Sequence, residues 1–176
     1  MEKTIDIDAV MKLAKTAEKI EYEAEKDVGT DSKSCVNIAI AKDEAFCFLY
    51  DDNIAFLEEN GCRIMYFSPI HDSEIPHDAD GVIFWGGYPE RYAKELSENK
   101  SMIKSVKKVI DSGIACIAEC GGFLYLHSYL EGTDGKKYPM AGIIDGEAVN
   151  GKRLQRFGYM EVTPVSDGMA CKIGRA

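Results

Sequence analysis

One cysteine stands where a short apolar stretch meets two glycines, in the run Ala118-Glu119-Cys120-Gly121-Gly122. The apolar residues before Cys120 are typical of a strand and those after it of a helix, which is the strand, sharp turn and helix of a nucleophile elbow. Such a turn lifts the sulfur clear of the sheet and places it at a helix N-terminus, where a thiolate is favoured. The run therefore predicts a nucleophile at Cys120; the alternative is a small buried cysteine at a strand end.

A second glycine pair, Gly86-Gly87, follows another apolar stretch and leads into Tyr88-Pro89-Glu90. Taken alone, such a pair is more often a tight turn between a strand and a helix. Together with the Gly121 N–H, however, its backbone N–H groups can point at a developing oxyanion. A cysteine opposite a double-glycine loop predicts acyl transfer through a thioester. The Gly-x-x-x-x-Gly-Lys-Ser/Thr phosphate loop occurs nowhere in the sequence.

The three histidines are poorly placed to act as a base for this cysteine. His127 lies seven residues after Cys120, so a continuous helix would separate the two by about 10 Å, beyond hydrogen-bond reach. His71 and His77 flank Pro76 in a predicted loop and reach the site only if that loop folds across it. We therefore expect these residues to lack the catalytic base.

Apolar stretches alternate with helical stretches up to the cysteine, which indicates a parallel sheet covered by helices. Ligands of such sheets bind beyond the carboxyl ends of the strands. Three loops with notable residues are predicted there, at 42–50, 86–90 and 120–122. The predicted strands are 36–41, 62–67, 81–85 and 113–120, the predicted helices are 51–60, 90–96 and 101–111, and further, partly antiparallel strands are predicted at 138–144 and 153–163.

The two ends of the chain differ from this α/β region. Apolar residues recur at helical spacing over residues 1–26, and Asp6 or Asp8 is a suitable N-cap. Residues 27–34 are polar and rich in turn formers, which predicts a linker. The last residues, 171–176, include no closing cap, and we interpret the sequence as truncated there.

Composition excludes several classes of partner. The 176 residues are 45% hydrophobic, enough for one domain core, and carry a net charge of −9, which disfavours nucleic acid and anionic membranes as partners. The six cysteines form no regular framework and no CxxC pair, which indicates reduced thiols and a cytoplasmic location. With no metal-ligand spacing, signal peptide or membrane-spanning run, we expect neither a metal site nor a membrane partner.

Six segments follow one another in order over roughly residues 35–165. They are 38–48 (IAIAKDEAFCF), 67–69 (FSP), 86–90 (GGYPE), 118–126 (AECGGFLYL), 138–142 (YPMAG) and 153–159 (RLQRFGY). Several ordered motifs are more specific than any one of them alone. Together these segments resemble the C-terminal glutamine amidotransferase domain of the cobyrinic acid a,c-diamide synthase family.

This resemblance implies a flavodoxin-like class I glutamine amidotransferase fold, a mostly parallel α/β sheet with a partly antiparallel C-terminal extension. It makes residues 1–34 the last helix and linker of a preceding synthetase domain, and residues 35–176 an amidotransferase domain truncated before its C-terminal end. The synthetase domain would use ATP and magnesium to activate carboxylates of a corrin precursor in cobalamin biosynthesis. The present domain would need no cofactor, and would hydrolyse glutamine and supply ammonia.

At the matching positions, the resemblance makes Cys120 the nucleophile that forms a γ-glutamyl thioester and gives the N–H groups of Gly87 and Gly121 to the oxyanion hole. It makes Gly86, Tyr88 and Glu90 the glutamine-binding residues. The family's histidine lies in a Gly-His-Glu-Phe-His type of segment that would follow Ala176, so these residues alone are expected to hydrolyse glutamine poorly. Glu119 is not assigned to a triad, because strand alternation points it away from the Cys120 side.

Other interpretations remain at this stage. One is a PfpI-like cysteine-elbow hydrolase or stress protein, which would need a histidine from within the chain or from a partner. A second is a non-catalytic interaction domain with an inert cysteine. A third is a related tetrapyrrole a,c-diamide synthase, since such enzymes share this domain. The resemblance also leaves open a homodimer of the full enzyme.

Overall fold

The computed structural model describes residues 5–19 and 35–151. The chain divides into two compact units, Met1–Thr30 and Asp31–Ala176. The predicted linker at 27–34, the predicted strand at 153–163 and the chain end lie outside the described residues. No helix in the described ranges is both long and apolar enough to cross a membrane.

The first unit contains one short helix, α1, at Ile7–Ala14. Asp6 is its N-cap and accepts a hydrogen bond from the Ala9 N–H at 2.9 Å, so the cap is Asp6 and not Asp8. Among the described residues the helix ends well before residue 26, the end that the sequence predicts; Lys15 is its C-cap.

A four-stranded parallel sheet forms the centre of the second unit. Its strands are β1 (Val36–Ala41), β2 (Cys62–Phe67), β3 (Gly81–Phe84) and β4 (Ala115–Ala118), in the order β2-β1-β3-β4. Each neighbouring pair is parallel, so the predicted parallel α/β sheet is confirmed. The fourth strand ends at Ala118 and not at Cys120, because the chain turns sharply at the cysteine.

The helices of this unit follow the predicted pattern, except that one predicted helix is divided into a 3-10 turn and a separate α-helix. They are α2 (Asp51–Glu59), α3 (Ala93–Glu98), α4 (Lys100–Asp111) and α5 (Gly121–Tyr125). The single helix predicted at 90–96 is wrong, since Pro89–Arg91 forms a 3-10 turn and Tyr92, with φ −118°, separates this turn from α3. Asn99 caps α4 by accepting from the Met102 N–H at 3.3 Å.

A second, three-stranded sheet follows α5, with strands β5 (His127–Glu131), β6 (Lys137–Pro139) and β7 (Ile144–Ala148) in the order β6-β5-β7. The pair β5–β6 is antiparallel and β5–β7 parallel, which fits the expected partly antiparallel extension. The single strand predicted at 138–144 is wrong: its ends belong to β6 and β7, and Gly142, with φ +65°, lies between them.

An aromatic cluster occupies the core beneath the carboxyl ends of the parallel strands. Phe46, Phe84 and Tyr125 are all fully buried. The Phe46 ring meets the Tyr125 ring edge-on at 5.5 Å between centroids and the Phe84 ring at 6.3 Å. Edge-to-face aromatic pairs of this kind add to the free energy gained by burial. The cluster therefore joins the loop after β1, the strand β3 and the helix α5.

The Tyr125 hydroxyl is buried and, within the described part of the chain, has no hydrogen-bond partner. Burial, with the nearby charge of Asp43, raises the pKa of this phenol above its usual range, so it is neutral. We expect Tyr125→Phe to increase the free energy of unfolding by about 1 kcal/mol, because it removes an unsatisfied polar group. Urea denaturation measures this, with Tyr50→Phe on an exposed ring as the matched neutral control. A loss of stability in Tyr125→Phe alone would contradict the prediction.

Candidate active site

Three loops meet at the carboxyl edge of the parallel sheet. The loop after β1 bonds to the loop after β3 twice, from the Phe48 N–H to the Gly86 carbonyl at 3.1 Å and from the Tyr88 N–H to the Ala45 carbonyl at 2.9 Å. The Gly122 N–H donates to the Trp85 carbonyl at 3.0 Å and so connects the start of α5 to the β3 loop. The loops that the sequence placed at this edge are therefore in direct contact.

Cys120 has a strained backbone. Its φ is 49° and its ψ −112°, and it is the only residue other than glycine with a positive φ in the described ranges. Such a conformation costs about 1–3 kcal/mol and persists only where neighbouring contacts hold it. Here the Glu119 N–H donates to the Phe84 carbonyl at 2.9 Å, and the Leu124 N–H to the Cys120 carbonyl at 3.1 Å. The result is an elbow that presents an exposed cysteine.

The glycines around the elbow are required by close backbone approach. A Cβ at Gly122 would lie 2.1 Å from the Phe84 carbonyl oxygen, and a Cβ at Gly87 would lie 2.0 Å from that of Ala45. A Cβ at Gly86 would lie 3.5 Å from the Cβ of Cys120. The Gly86-Gly87 pair is therefore packed directly beside the cysteine.

Within the described part of the chain, two backbone N–H groups near the cysteine have no internal acceptor. Gly87 and Gly121 are both buried, and neither N–H donates to another group among the residues with described placement. Their peptide groups are neighbours, since a Cβ at Gly121 would lie 3.0 Å from the Gly87 nitrogen. Buried N–H groups normally find a partner, so this pair is available to a ligand oxygen.

A cleft of about 470 Å³ opens beside Cys120, a size that suits a small-molecule ligand. Gly87, Tyr88 and Glu90 line it together with the cysteine, so these predicted site residues share one cavity. The apolar part of its wall consists of Phe48, Leu124, Leu130, Ala148 and Val149. Among the described side chains, no group of three His, Cys, Asp or Glu residues is placed to hold a metal ion.

The far wall of the cleft was not predicted from the sequence. It includes Glu131, Thr133 and Asn150. The Asn150 N–H donates to the Glu131 carboxylate at 3.0 Å, and the Thr133 N–H donates to the Glu90 carbonyl at 3.1 Å. These bonds hold two acidic side chains, Glu90 and Glu131, at one cavity. No local sequence pattern pointed to this wall.

The three histidines lie elsewhere. The prediction that His127 continues the helix of Cys120 is wrong, because α5 ends at Tyr125 and His127 begins β5. Its Nδ1 lies 2.9 Å from the Phe123 carbonyl oxygen. His71 pairs with Glu44 and His77 with Glu74, each at 3.0 Å and exposed. No described residue that lines the Cys120 cleft is a histidine.

A second cysteine, Cys116, provides an internal reference for thiol reactivity. It is half-buried in β4, and burial raises the pKa of its thiol. Because only the thiolate reacts, and because Cys116 is also less accessible, we expect iodoacetamide to label Cys116 more slowly than the exposed Cys120 at pH 7.5. Timed labelling with peptide mass spectrometry measures both rates. The Cys116 rate should rise with pH up to its raised pKa, and equal rates in the folded protein would contradict the prediction.

The fold and the cleft together define an α/β domain with an exposed cysteine at a strained strand-to-helix turn, opposite a glycine pair. The family model of the CobB/CobQ-like glutamine amidotransferase domain matches residues 37–172. The chain belongs to this family.

Proteins named cobyrinate a,c-diamide synthase are similar to the chain. That of Caldanaerobacter subterraneus subsp. tengcongensis is 38% identical over 174 residues, which are 99% of this chain and 38% of the relative. That of Clostridium tetani is 43% identical over 160 residues, 91% and 35% of the two chains, and that of Salmonella typhimurium 41% over 161 residues, 92% and 35%. The chain thus spans little more than a third of the length of these curated relatives. The PfpI-like alternative is not favoured.

Proposed function

We propose that this glutamine amidotransferase domain hydrolyses glutamine through a covalent γ-glutamyl thioester on Cys120. The observation that carries the proposal is the cleft itself, in which an exposed cysteine on a strained turn lies beside two buried N–H groups without an acceptor. A nucleophile next to preorganised donors is what acyl transfer requires. The family match supports glutamine as the acyl donor.

In the proposed reaction the Cys120 sulfur attacks the side-chain amide carbon of glutamine and forms a C–S bond. The carbonyl oxygen takes the electron pair and is held by the N–H groups of Gly87 and Gly121. When the carbonyl re-forms, the C–N bond breaks and nitrogen leaves with a proton as ammonia. Water then attacks the thioester, the C–S bond breaks, and glutamate and the thiol are released. The histidine expected to carry the proton, beyond Ala176, stays a prediction.

Glutamine is proposed to lie along the cleft with its amide at Cys120. Gly86 and Tyr88 border the nucleophile, and the Tyr88 ring meets the Phe48 ring edge-on at 5.1 Å, which forms an apolar side for the substrate's methylene groups. Glu90 and Glu131 line the same cavity, and a carboxylate suits the substrate's ammonium group. Glu90 is therefore proposed as a glutamine-binding residue, in agreement with the resemblance.

The ammonia is proposed to serve a synthetase. We propose that this synthetase carries out an ATP- and magnesium-dependent a,c-diamidation of cobyrinic acid in cobalamin biosynthesis; the relatives' shared name supports the a,c-diamidation. We propose that residues 1–34 belong to the end of that synthetase domain and residues 35–176 to the amidotransferase domain, and that ATP and magnesium bind only the former. A homodimer of the full enzyme and a cytoplasmic location stay predictions.

Labelling with the glutamine analogue 6-diazo-5-oxo-norleucine tests the proposal. The Cys120 sulfur adds to the ketone carbon, and the ketone oxygen takes the electron pair as an oxyanion. The thiol proton passes to the diazo carbon, and the sulfur then moves to that carbon as N₂ leaves and the ketone re-forms, so that one C–S bond remains. We expect a single adduct on Cys120, read by intact mass and peptide mapping and prevented by excess glutamine. An excess of a glutamine analogue that lacks the α-ammonium group should protect Cys120 less than glutamine does. An adduct that glutamine does not prevent, or no adduct on the folded protein, would count against a glutamine site.

A further inference from the structure

The carboxylate of Asp43 is fully engaged in internal hydrogen bonds. Its Oδ1 accepts from the N–H groups of Ala45 at 2.9 Å and Phe46 at 3.1 Å. Its Oδ2 accepts from the Ser68 hydroxyl at 2.9 Å and the Ile70 N–H at 2.9 Å. The carboxylate thus closes the turn after β1 and fastens it to the segment after β2. With four such hydrogen bonds, Asp43 holds two segments of the chain together and is not simply a solvated residue of the loop.

The turn at residues 43–46 also contacts the Gly86-Gly87 loop through Ala45. The Ala45 carbonyl accepts the Tyr88 N–H at 2.9 Å, and its oxygen occupies the place where a Cβ of Gly87 would lie. The position of Ala45 therefore sets the position of the Gly87 peptide group. Any shift of the turn moves the N–H group that Gly87 presents beside the thiol.

The same turn also contacts the helix that follows the nucleophile. Phe46, whose N–H donates to Asp43, is fully buried, and its ring packs edge-on against Tyr125 of α5 at 5.5 Å. One turn therefore contacts both parts of the site, the Gly86-Gly87 loop and the helix that begins at Cys120.

We propose that Asp43 is a positioning residue for glutamine hydrolysis, which holds the turn at residues 43–46 so that the Gly87 N–H is aligned with the oxygen of the substrate amide at Cys120. The inference rests on the proposed function. Asp43 acts through Ala45 and touches neither the substrate nor the thiol. Misplacing such a donor weakens the stabilisation of the developing oxyanion more than it weakens ground-state binding.

The test is Asp43→Asn, which retains the Oδ1 acceptor but presents an amide NH₂ to the Ile70 N–H. Ser68→Ala, which removes one of the four bonds, is a milder second variant that keeps the test valid if Asp43→Asn folds poorly. The matched control is Asp80→Asn, because Asp80 accepts the Asn37 N–H at 2.9 Å at the opposite end of β1.

The rate of inactivation by 6-diazo-5-oxo-norleucine is measured over a concentration series for each variant, as the rate of adduct formation on Cys120 read by intact mass. The ketone oxygen of this reagent takes the place of the amide oxygen of glutamine. We expect the maximal inactivation rate to fall about tenfold or more in Asp43→Asn, and less in Ser68→Ala, as for other small misplacements of reacting groups. The half-saturating concentration and the rate of iodoacetamide labelling at Cys120 should stay within about twofold, since neither depends on an oxyanion donor. Asp80→Asn should match the unmodified protein in all three.

The outcomes separate the two proposals. If the unmodified chain reacts in a glutamine-protected manner but both variants inactivate at its maximal rate, Asp43 has no positioning role and the proposed function stands. If iodoacetamide labelling falls in parallel with inactivation, Asp43 is merely structural and the inference is overturned. If the unmodified chain does not react at all, the proposed function fails and this inference fails with it.

Discussion

Cys120→Gly is expected to abolish labelling by 6-diazo-5-oxo-norleucine at this position and to make the domain more stable. Cys120 has a φ of 49° and a ψ of −112°, a conformation that glycine adopts without a steric penalty. Relief of about 1–3 kcal/mol of strain exceeds the roughly 0.5–1 kcal/mol of extra chain entropy that glycine loses on folding. We therefore expect a net gain of about 1 kcal/mol in the free energy of unfolding, measured by urea denaturation.

Cys120→Ala is the matched control for this prediction. Alanine removes the sulfur but keeps the Cβ, so it should abolish labelling equally while leaving the strained turn as it is. The difference in stability between the glycine and alanine variants isolates the strain from the loss of the thiol. If Cys120→Gly were less stable than Cys120→Ala, the backbone at this position would not be strained in the folded protein.

A gain in stability with a complete loss of reactivity would mean that presenting Cys120 on a strained turn lowers the free energy of unfolding of the domain. Proteins commonly tolerate such local costs at functional sites because the surrounding contacts exceed them. Here those contacts are specific. The Glu119 N–H and the Gly122 N–H are bound to carbonyls at the end of β3 and just after it, on either side of the cysteine. The strained turn is thus held on both sides by backbone of the neighbouring strand.

Local patterns were sufficient to predict the elbow and the parallel sheet. The strand before Cys120, the glycines after it and the Gly86-Gly87 pair are encoded within a few residues of each position, because the turn needs small residues where backbones approach. Strands of a covered parallel sheet are largely apolar, and the sequence is apolar at β3 and apolar except for Asn37 and Arg63 at β1 and β2. These features fix one side of the cleft, and that side was predicted.

The opposite side depends on contacts that no local pattern encodes. Glu131 and Asn150 come together only because β5 pairs with β7 in a particular register, 19 residues apart in the chain. The expected long helix after Cys120 failed for a related reason: α5 has only five residues before the chain enters β5. A helical pattern in an apolar stretch cannot distinguish these outcomes, since tertiary pairing decides where the helix stops.

Asp43 shows the same limit at a single residue. Two of its hydrogen-bond partners, Ser68 and Ile70, lie 25 and 27 residues away, at the end of a different strand. In the sequence it is one of two adjacent acidic residues in a loop, and a solvated face is the usual interpretation of such charges. Its half-buried position between two loops becomes visible only once β1 and β2 are adjacent.

Gly122→Ala is expected to destabilise the domain by about 3 kcal/mol or more, a large share of the stability of a typical domain. The added Cβ would lie 2.1 Å from the Phe84 carbonyl oxygen and 2.6 Å from the Phe84 Cβ, so backbone must shift rather than a flexible side chain. The Gly122 N–H is also bound to the Trp85 carbonyl at 3.0 Å, and moving α5 away would weaken that bond. Urea denaturation measures the loss.

Gly113→Ala is the matched control, because a Cβ there meets nothing within 4 Å. Its φ of +86° still makes alanine unfavourable, so this variant measures the conformational cost alone, about 1–3 kcal/mol. If the close packing of α5 against β3 is what requires glycine, Gly122→Ala must lose more stability than Gly113→Ala although Gly122 has no positive φ. It must also slow glutamine-protected labelling of Cys120, which Gly113→Ala should leave unchanged, because only Gly122 holds the helix that begins at the nucleophile. Equal losses in the two variants would remove the steric argument for the elbow.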